Sequence, residues 1–279
     1  MANIFDKYEK TQEFLICIDS DGCAMNTMEI KHRRCFAPEM IKTWNLYEKE
    51  DYILNLWYDI NLYTKTRGIN RFKGLAETFK IISNEGIEID DLDSLVNWVE
   101  TTNELSNKSL EREIEKTNSK ALKMAYEWSL NVNKSIEQLP KGDEPFENVK
   151  EGLETLSKLV DVAVVSSANG EALDDEWNRH NFVRHLKALL GQEAGTKQYC
   201  ISELKKKGYD EKKILMVGDA PGDLQAAKNN NVNFYPILVN KEGYSWKRLV
   251  NEVVPKLMNG TFDEAYQNQL IKEFNDSLK

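Results

Sequence analysis

Short runs of apolar residues recur along the chain, and each is bounded by residues that favour turns. They lie at residues 14–18, 161–166, 214–218 and 234–239, with a weaker run at 186–190. Apolar residues follow one another almost without interruption in these runs, whereas a strand with one exposed face would alternate them with polar residues. The pattern predicts strands that are buried on both faces, and therefore a parallel sheet covered by helices.

Helical patterns lie between the predicted strands. Leu153, Leu156 and Leu159 are in phase within residues 149–159, and further helices are predicted over residues 198–206 and 223–228. A repeated order of strand, helix and strand is typical of an α/β protein. We therefore predict a doubly wound, Rossmann-like parallel sheet.

The stretch from about residue 29 to residue 139 interrupts this alternation, because it contains amphipathic helical patterns and no convincing strand. We predict a discontinuous α/β core domain of residues 1–26 and 140–279, and an inserted all-helical cap domain of residues 27–139. Residues 139–145 would form the hinge, and residues after 244 would add two more helices. The apolar stripes that predict the cap helices are Ile53, Leu56, Trp57 and Ile60; Phe72, Leu75, Phe79 and Ile82; and Leu122, Ala125, Ser129, Val132 and Ile136.

Composition narrows the classes of function. The chain has 279 residues, 41% of them hydrophobic and 30% charged, as in ordinary soluble globular proteins. A formal net charge of −9 argues against a non-specific nucleic-acid binder, but it leaves an anionic small molecule possible as substrate. The sequence lacks a signal peptide, a run of membrane-spanning length and a CxxC pair, so we expect a cytoplasmic protein with reduced cysteines and no membrane partner.

Two acidic residues, Asp19 and Asp21, follow the first predicted strand directly. The Asp-Gly pair at 21–22 is also a common turn signal, so a plain turn is one interpretation. Two like charges at this spacing repel each other unless a cation lies between them. The alternative interpretation is therefore a metal site.

A second acidic segment, Asp219 and Asp223, follows the strand predicted at 214–218. Capping of the next helix accounts for Asp223, but it leaves Asp219 unexplained. Ligands of open α/β sheets bind at the carboxyl ends of the strands, so both acidic segments would converge if these two strands were neighbours. Mg²⁺ suits such a group of carboxylates when water and phosphate oxygens complete its shell.

A bound phosphate would also need hydrogen-bond donors and cations. Ser166, at the end of the strand predicted at 161–166, offers a hydroxyl and nearby backbone amides, although an isolated serine here is usually a turn residue. Lys197 follows a glycine-containing turn and opens a helical pattern, where its positive charge is unfavourable beside the helix terminus. A solvated surface lysine is the usual interpretation of such a position, and a phosphate-binding lysine is the alternative.

The predicted cap carries a cationic segment, residues 63–74, with Lys65, Arg67, Arg71 and Lys73 and no acidic residue. A solvated junction between two helices is the simpler interpretation. The functional hypothesis is that Arg67 or Arg71 contacts the anionic part of a substrate, because the guanidinium fork suits carboxylates and phosphates.

In this order, the segments DSDG (19–22), Ser166, Lys197 and GDAPGD (218–223) resemble the four motifs of the haloacid dehalogenase superfamily. The resemblance covers the predicted sheet domain nearly end to end, and the helical insertion lies where one branch of that superfamily carries its cap. It implies an Mg²⁺-dependent phosphatase that acts on a small phosphorylated metabolite.

Carried over to this chain, the resemblance implies a role for each motif residue. Asp19 would attack phosphorus and form an aspartyl phosphate, while Asp21 would protonate the leaving oxygen and then activate water. Asp19, the backbone carbonyl of Asp21, and Asp219 would hold Mg²⁺, with Asp223 either as a further ligand or behind the ligands. Ser166 and Lys197 would bind the phosphoryl oxygens.

Two alternatives remain open at the level of the sequence. A phosphomutase on the same scaffold would share the nucleophile. A catalytically idle binding or regulatory module would share only the fold. The sequence leaves the natural substrate and the oligomeric state open.

Overall fold

The computed structural model describes residues 4–140 and 144–279 and divides into two compact units. One unit comprises Met1–Thr27 with Asp143–Lys279, and the other comprises Met28–Gly142. Residues 141–143, in the middle of the predicted hinge, lie outside the described residues. The role of the second unit as a cap stays a prediction.

The discontinuous unit contains a five-stranded sheet in which every neighbouring pair is parallel. The spatial order is β3-β2-β1-β4-β5, so the first strand of the chain is central. This topology confirms the predicted doubly wound α/β fold with a helical insertion. The strands are β1 (Leu15–Ile18), β2 (Asp161–Val165), β3 (Ala188–Leu190), β4 (Ile214–Gly218) and β5 (Asn233–Pro236).

The strand register brings the ends of the central strands to one edge. Ile18 of β1 lies opposite Val164 of β2 and Val217 of β4. The residues that follow these strands therefore leave the sheet at its carboxyl edge, where open α/β folds bind ligands.

Alternate residues of the central strands enter two separate hydrophobic clusters. Ile16 and Ile18 belong to one cluster, and Leu15 and Cys17 belong to the other. β2 and β4 divide their side chains in the same way, so both faces of the sheet are buried. This arrangement explains the uninterrupted apolar runs in the sequence.

The helical unit has a core of its own. Of the predicted stripe residues, Trp57, Phe79 and Val132 are fully buried, whereas Leu56 and Ile136 lie at the margin of the cluster. Two turns of π-helix, His32–Phe36 and Asp59–Tyr63, interrupt its helices. The α-helices of this unit are α1 (Met28–Lys31), α2 (Ala37–Trp44), α3 (Glu50–Tyr58), α4 (Arg71–Asn84), α5 (Leu92–Thr101), α6 (Asn107–Thr117) and α7 (Lys120–Glu137).

The helices of the sheet unit differ from the sequence prediction in two places. The helix that follows β2 was missed, although Asn169 caps it and Leu173 and Trp177 lie one turn apart on its buried side. In the C-terminal segment, a π-helical turn, Leu249–Val253, joins two of the helices. The α-helices are α8 (Val149–Leu159), α9 (Gly170–Arg179), α10 (Lys197–Lys205), α11 (Pro221–Asn229), α12 (Glu242–Arg248), α13 (Val254–Met258) and α14 (Glu264–Ser277).

The four cysteines all fall within the described residues, and each is buried and free. Across residues 4–140 and 144–279, no helix combines the length and the apolar character needed to span a membrane.

Candidate functional site

Asp19 begins the turn that follows β1, and backbone hydrogen bonds hold it in place. Its N–H donates to the carbonyl oxygen of Val217 at 2.9 Å, so the turn starts beside the end of β4. Its carboxylate oxygen Oδ1 accepts from the N–H of Ser20 at 2.8 Å. The side chain is buried, which fixes one carboxylate at the carboxyl edge of the sheet.

Asp219 and Asp223 lie on either side of the turn between β4 and α11. Asp223 accepts a hydrogen bond through Oδ2 from the N–H of Ala220 at 3.1 Å. It therefore helps to cap α11, which is the interpretation that the sequence favoured for this residue. Capping uses only one of its oxygens. A methyl group at Gly218 would lie 2.3 Å from Cγ of Asp223, so this close approach requires a glycine.

The structure brings Asp19, Asp219 and Asp223 together at one point. Each offers a carboxylate oxygen, and these oxygens lie within 4.8 Å of one another in a buried cluster. The ammonium Nζ of Lys197 lies 2.7 Å from Oδ2 of Asp19 and 2.6 Å from Oδ1 of Asp223. Counted formally, these three carboxylates and one ammonium carry a net charge of −2.

The surroundings raise the pKa of two groups in this cluster, Asp19 and Lys197. Burial raises the pKa of Asp19, and the Asp223 and Asp219 carboxylates raise it further, against the opposing effect of Lys197. Burial alone would lower the pKa of Lys197, but the Asp19 and Asp223 carboxylates hold it above its usual value. Both shifts show that the carboxylates of this cluster act electrostatically on one another and on Lys197.

The donor set fits a hard divalent cation. Oxygen ligands and carboxylates within reach of one point are what Mg²⁺ requires of a protein site. Such a cation is the ligand that these residues suit best.

The side chain of Asp21 is not a member of this cluster. It is half-buried in the turn after Asp19, where its carboxylate accepts a hydrogen bond from the hydroxyl of Thr27. The sequence prediction assigned the backbone carbonyl of Asp21, and not its carboxylate, to the metal. That assignment stays a prediction.

Ser166 directly follows β2 and is buried at the carboxyl edge of the sheet. Its N–H donates to the carbonyl oxygen of Leu190 at 2.8 Å, and its Oγ accepts from the N–H of Ala168 at 3.1 Å. Lys197 begins α10, whose N-cap is the side chain of Thr196. The two aspartates that contact Lys197 explain how a cation is tolerated at the positive end of a helix.

Arg67 and Arg71 both lie in the helical unit. Arg67 is buried, and its Nη1 donates to the carbonyl oxygen of Leu62 at 2.6 Å. Nη1 of Arg71 donates to Oδ1 of Asn133 at 2.7 Å, and its guanidinium lies 4.9 Å from the ring centre of Phe36. Burial lowers the pKa of Arg71 to about 10. A contact between either arginine and a substrate stays a prediction.

Two further residues contact the turn after β1 and were not predicted from the sequence. They are Trp177 and Trp246, whose indole groups are fully buried. A tryptophan that follows the helical spacing of the apolar residues around it is predicted to pack in the core. The hydrogen-bond partner of its indole N–H can be seen only in the folded chain.

The fold and the site define an α/β enzyme whose acidic centre lies at the carboxyl edge of a parallel sheet. Residues 69–237, more than half of the chain, match the family model of haloacid dehalogenase-like hydrolases, and the chain belongs to that family. This confirms the resemblance stated above. The matched range begins after Asp19 and Asp21, so the evidence for the first acidic segment is its geometry.

Solved structures show the same fold at low sequence identity. A haloacid dehalogenase-like family hydrolase from Xanthomonas campestris matches with a TM-score of 0.52 and 10% identity over 91% of this chain and 99% of its own. A candidate phosphoglycolate phosphatase from Lactobacillus delbrueckii subsp. bulgaricus matches with a TM-score of 0.51 and 16% identity over 82% and 87%. A candidate haloacid dehalogenase-like hydrolase from Bacteroides fragilis matches with a TM-score of 0.51 and 12% identity over 84% and 93%.

These identities show a common fold and do not transfer a substrate. A search among curated protein sequences finds no match.

Proposed function

We propose that the protein is an Mg²⁺-dependent phosphatase that hydrolyses a phosphate monoester of a small metabolite through an aspartyl phosphate on Asp19. The observation that carries the proposal is the buried group of Asp19, Asp219 and Asp223 with Lys197 between two of them. Membership of a hydrolase family and the position of the site at the carboxyl edge of the sheet support the same conclusion.

In the first half of the reaction, a carboxylate oxygen of Asp19 attacks phosphorus as the bond from phosphorus to the ester oxygen breaks. Asp21 gives its proton to the leaving oxygen. The N–H of Ser20 and the ammonium of Lys197 orient the Asp19 carboxylate, since each contacts one of its oxygens. Ser166 and Lys197 bind the phosphoryl oxygens.

In the second half, Asp21 takes a proton from a water molecule that attacks the phosphorus of the aspartyl phosphate. The bond from Asp19 to phosphorus breaks, inorganic phosphate leaves, and the Asp19 carboxylate is restored. Asp19, the carbonyl of Asp21, Asp219 and Asp223 would hold Mg²⁺. When bound, the cation would offset the repulsion between the carboxylate and the anionic phosphate.

The direct test measures phosphate release from a panel of sugar, nucleotide and organic-acid phosphates, with Mg²⁺ and with a chelator. We expect turnover that depends on Mg²⁺, and a loss of at least about 1,000-fold in kcat for Asp19→Asn, because this change removes the nucleophile with little change in shape. Asp276→Asn, an exposed aspartate paired with Lys272, serves as the matched control and should leave kcat unchanged.

Three outcomes would contradict the proposal. Turnover by Asp19→Asn equal to that of the wild type would remove Asp19 from its role. Formation of a product isomer without release of phosphate would indicate a phosphomutase. Absence of turnover across the panel, with intact Mg²⁺ binding, would favour a binding or regulatory module.

We also propose that Arg67 or Arg71 contacts the anionic part of the substrate. Arg71 supports this because the partners of its Nη1 are neutral oxygens of Ser129 and Asn133. Replacing both arginines by alanine should raise KM for the true substrate by about tenfold and change KM for a minimal aryl phosphate little. An equal change for both substrates would contradict this role.

A further inference from the structure

Two buried tryptophans from distant parts of the chain hold the turn that carries Asp19 and Asp21. Nε1 of Trp177, on α9, donates to Oγ of Ser20 at 2.9 Å. Nε1 of Trp246, on α12, donates to the carbonyl oxygen of Cys23 at 2.8 Å. Both indole groups are fully buried, so water does not compete for either hydrogen bond.

Ser20 connects the first of these hydrogen bonds to the Asp19 carboxylate. Its N–H donates to Oδ1 of Asp19 at 2.8 Å, and its carbonyl oxygen accepts from the N–H groups of Ala24 and Met25, each at 2.9 Å. A shift of Ser20 would therefore move the Asp19 carboxylate and the rest of the turn together. Trp177 donates to Oγ of Ser20, and the positions of the Asp19 carboxylate and of the turn both depend on this residue.

Cys23 closes the other end of the turn. Its Sγ lies 3.6 Å from the carbonyl oxygen of Val217, the same oxygen that accepts from the N–H of Asp19 at 2.9 Å. Trp246 donates to the carbonyl oxygen of Cys23, as Trp177 does to Oγ of Ser20. Asp21 therefore lies, along the chain, between two residues that each accept a hydrogen bond from an indole. An indole therefore holds the turn on each side of Asp21.

The surroundings of Trp246 are adapted to its position. A methyl group at Gly152 of α8 would lie 2.8 Å from Cε3 of the indole, so α8 packs this closely only because residue 152 is a glycine. The hydroxyl of Tyr235 donates to the carbonyl oxygen of Ser245 at 2.8 Å and ties α12 to β5. Trp246 also lies beyond residue 237, where the match to the family model ends.

On the basis of the proposed phosphatase function, we propose that Trp177 and Trp246 are positioning residues, whose indole N–H groups hold the Ser20–Cys23 turn so that Asp19 and Asp21 keep their places during turnover. A nucleophile must approach phosphorus within a narrow range of distance and angle, and a displacement near 1 Å can reduce a rate by up to about 100-fold. The proposal also assigns a role to the C-terminal segment.

The test compares Trp177→Phe, Trp246→Phe and Trp128→Phe in the full chain. The first two changes remove an indole donor from the turn, and we expect kcat to fall about tenfold with KM changed less than about twofold, since substrate binding is left intact. Trp128 is the matched control, because it is also fully buried and donates to a backbone carbonyl, that of Phe36 at 3.1 Å. Trp128→Phe should lower the Tm and leave kcat unchanged.

A double-mutant cycle tests the Trp177 contact separately from packing. Ser20→Ala removes the acceptor and keeps the indole, so it should lower kcat about as much as Trp177→Phe, and the double variant should be no slower than the slower single variant. Effects that multiply would show that the two residues act independently, and would overturn the role of Trp177.

The Trp246 contact has a second variant in case Trp246→Phe does not fold. Gly152→Ala crowds the indole and should lower kcat in the same way. If the wild type is active and the tryptophan and Gly152 variants lose only Tm, as Trp128→Phe does, the inference is wrong and the proposed function stands. If the wild type is inactive on the whole panel, or Asp19→Asn is fully active, it is the proposed function that fails.

Discussion

At the scale of single residues, Gly218 leaves the space that Asp223 occupies. It ends β4 one residue before Asp219, and a methyl group on it would lie 2.3 Å from both Cγ and Oδ2 of Asp223. The Asp223 side chain cannot rotate without losing a contact, because one of its oxygens accepts from the N–H of Ala220 and the other accepts from the ammonium of Lys197. The glycine is therefore required by a carboxylate of the site, and not by its backbone conformation.

Gly218→Ala should displace Asp223 and weaken the acidic cluster. We expect kcat/KM to fall at least about tenfold, the Mg²⁺ concentration for half-maximal activity to rise, and the free energy of unfolding to fall by about 1–3 kcal/mol from overpacking. Steady-state kinetics at several Mg²⁺ concentrations, with urea unfolding in parallel, measures all three quantities.

Gly222→Ala is the matched control in the same turn. Apart from the adjoining residues and the backbone of α11, no heavy atom of the described part of the chain lies within 4 Å of a methyl group built at Gly222, so alanine there should leave kcat/KM and stability close to those of the wild type. A Gly218→Ala enzyme that behaves like Gly222→Ala would contradict the role assigned to residue 218.

At the scale of elements, β2 positions a different polar residue at each of its ends. Its carboxyl end leads to Ser166, while its first residue, Asp161, anchors the segment that precedes β1. The buried Asp161 carboxylate accepts from the N–H and Oγ1 of Thr11, at 2.8 and 2.6 Å, from the N–H of Gln12 at 2.8 Å and from the hydroxyl of Tyr209 at 2.5 Å. Burial raises the pKa of Asp161, but these hydrogen bonds outweigh it and hold the pKa below its usual value.

Asp161→Asn should destabilise the protein in a pH-dependent way. Asparagine presents an amide N–H₂ to these donors, so we expect a loss of about 2 kcal/mol in the free energy of unfolding at pH 7. Because the folded pKa lies below the unfolded value of about 3.9, the contribution of Asp161 is complete above that pH and is lost as the pH falls through the folded pKa. The difference between the wild type and the variant should therefore shrink below about pH 4.

The difference in free energy of unfolding between the wild type and the variant can be measured by urea unfolding, from pH 7 down to the lowest pH at which the wild type unfolds cooperatively. Asp276→Asn, which removes one partner of an exposed ion pair, should change stability by less than about 0.5 kcal/mol at every pH. A difference for Asp161→Asn that stays constant with pH would show that its carboxylate charge does not contribute.

Most strands could be predicted because burial on both faces leaves an unbroken apolar run, as in β1 and β4. Their order could not be predicted, since apolar runs identify strands but not their neighbours. The placement of β1 beside β4 is what brings Asp19 next to Asp219. α9 was not predicted, although Asn169 as N-cap and the apolar Leu173 indicate a helix there. The contact of Trp177 with Ser20 could not be predicted, because tertiary structure decides the partner of an indole N–H.

At the scale of the whole molecule, each hydrophobic cluster of residues 4–140 and 144–279 takes its buried members from one unit. The buried members of the helical unit's cluster all come from residues 35–132, and they include Trp57, Phe79 and Trp128. The two clusters of the sheet unit take their buried members from residues 5–25 and 149–278. The helical unit therefore has a hydrophobic core made of its own residues.

Residues 28–140 should fold without the rest of the chain. A segment of this length with a closed aromatic core is within the range of independent domains, so we expect cooperative urea unfolding and a near-ultraviolet circular dichroism signal from its packed tryptophans. Trp128→Ala should reduce the free energy of unfolding by about 3–5 kcal/mol. Leu130→Ala, at a side chain on the same helix that is 44% exposed, should change it by less than about 1 kcal/mol. An isolated segment with helical circular dichroism, a flat near-ultraviolet spectrum and no difference between these two variants would show that the helical core depends on the sheet unit for its packing.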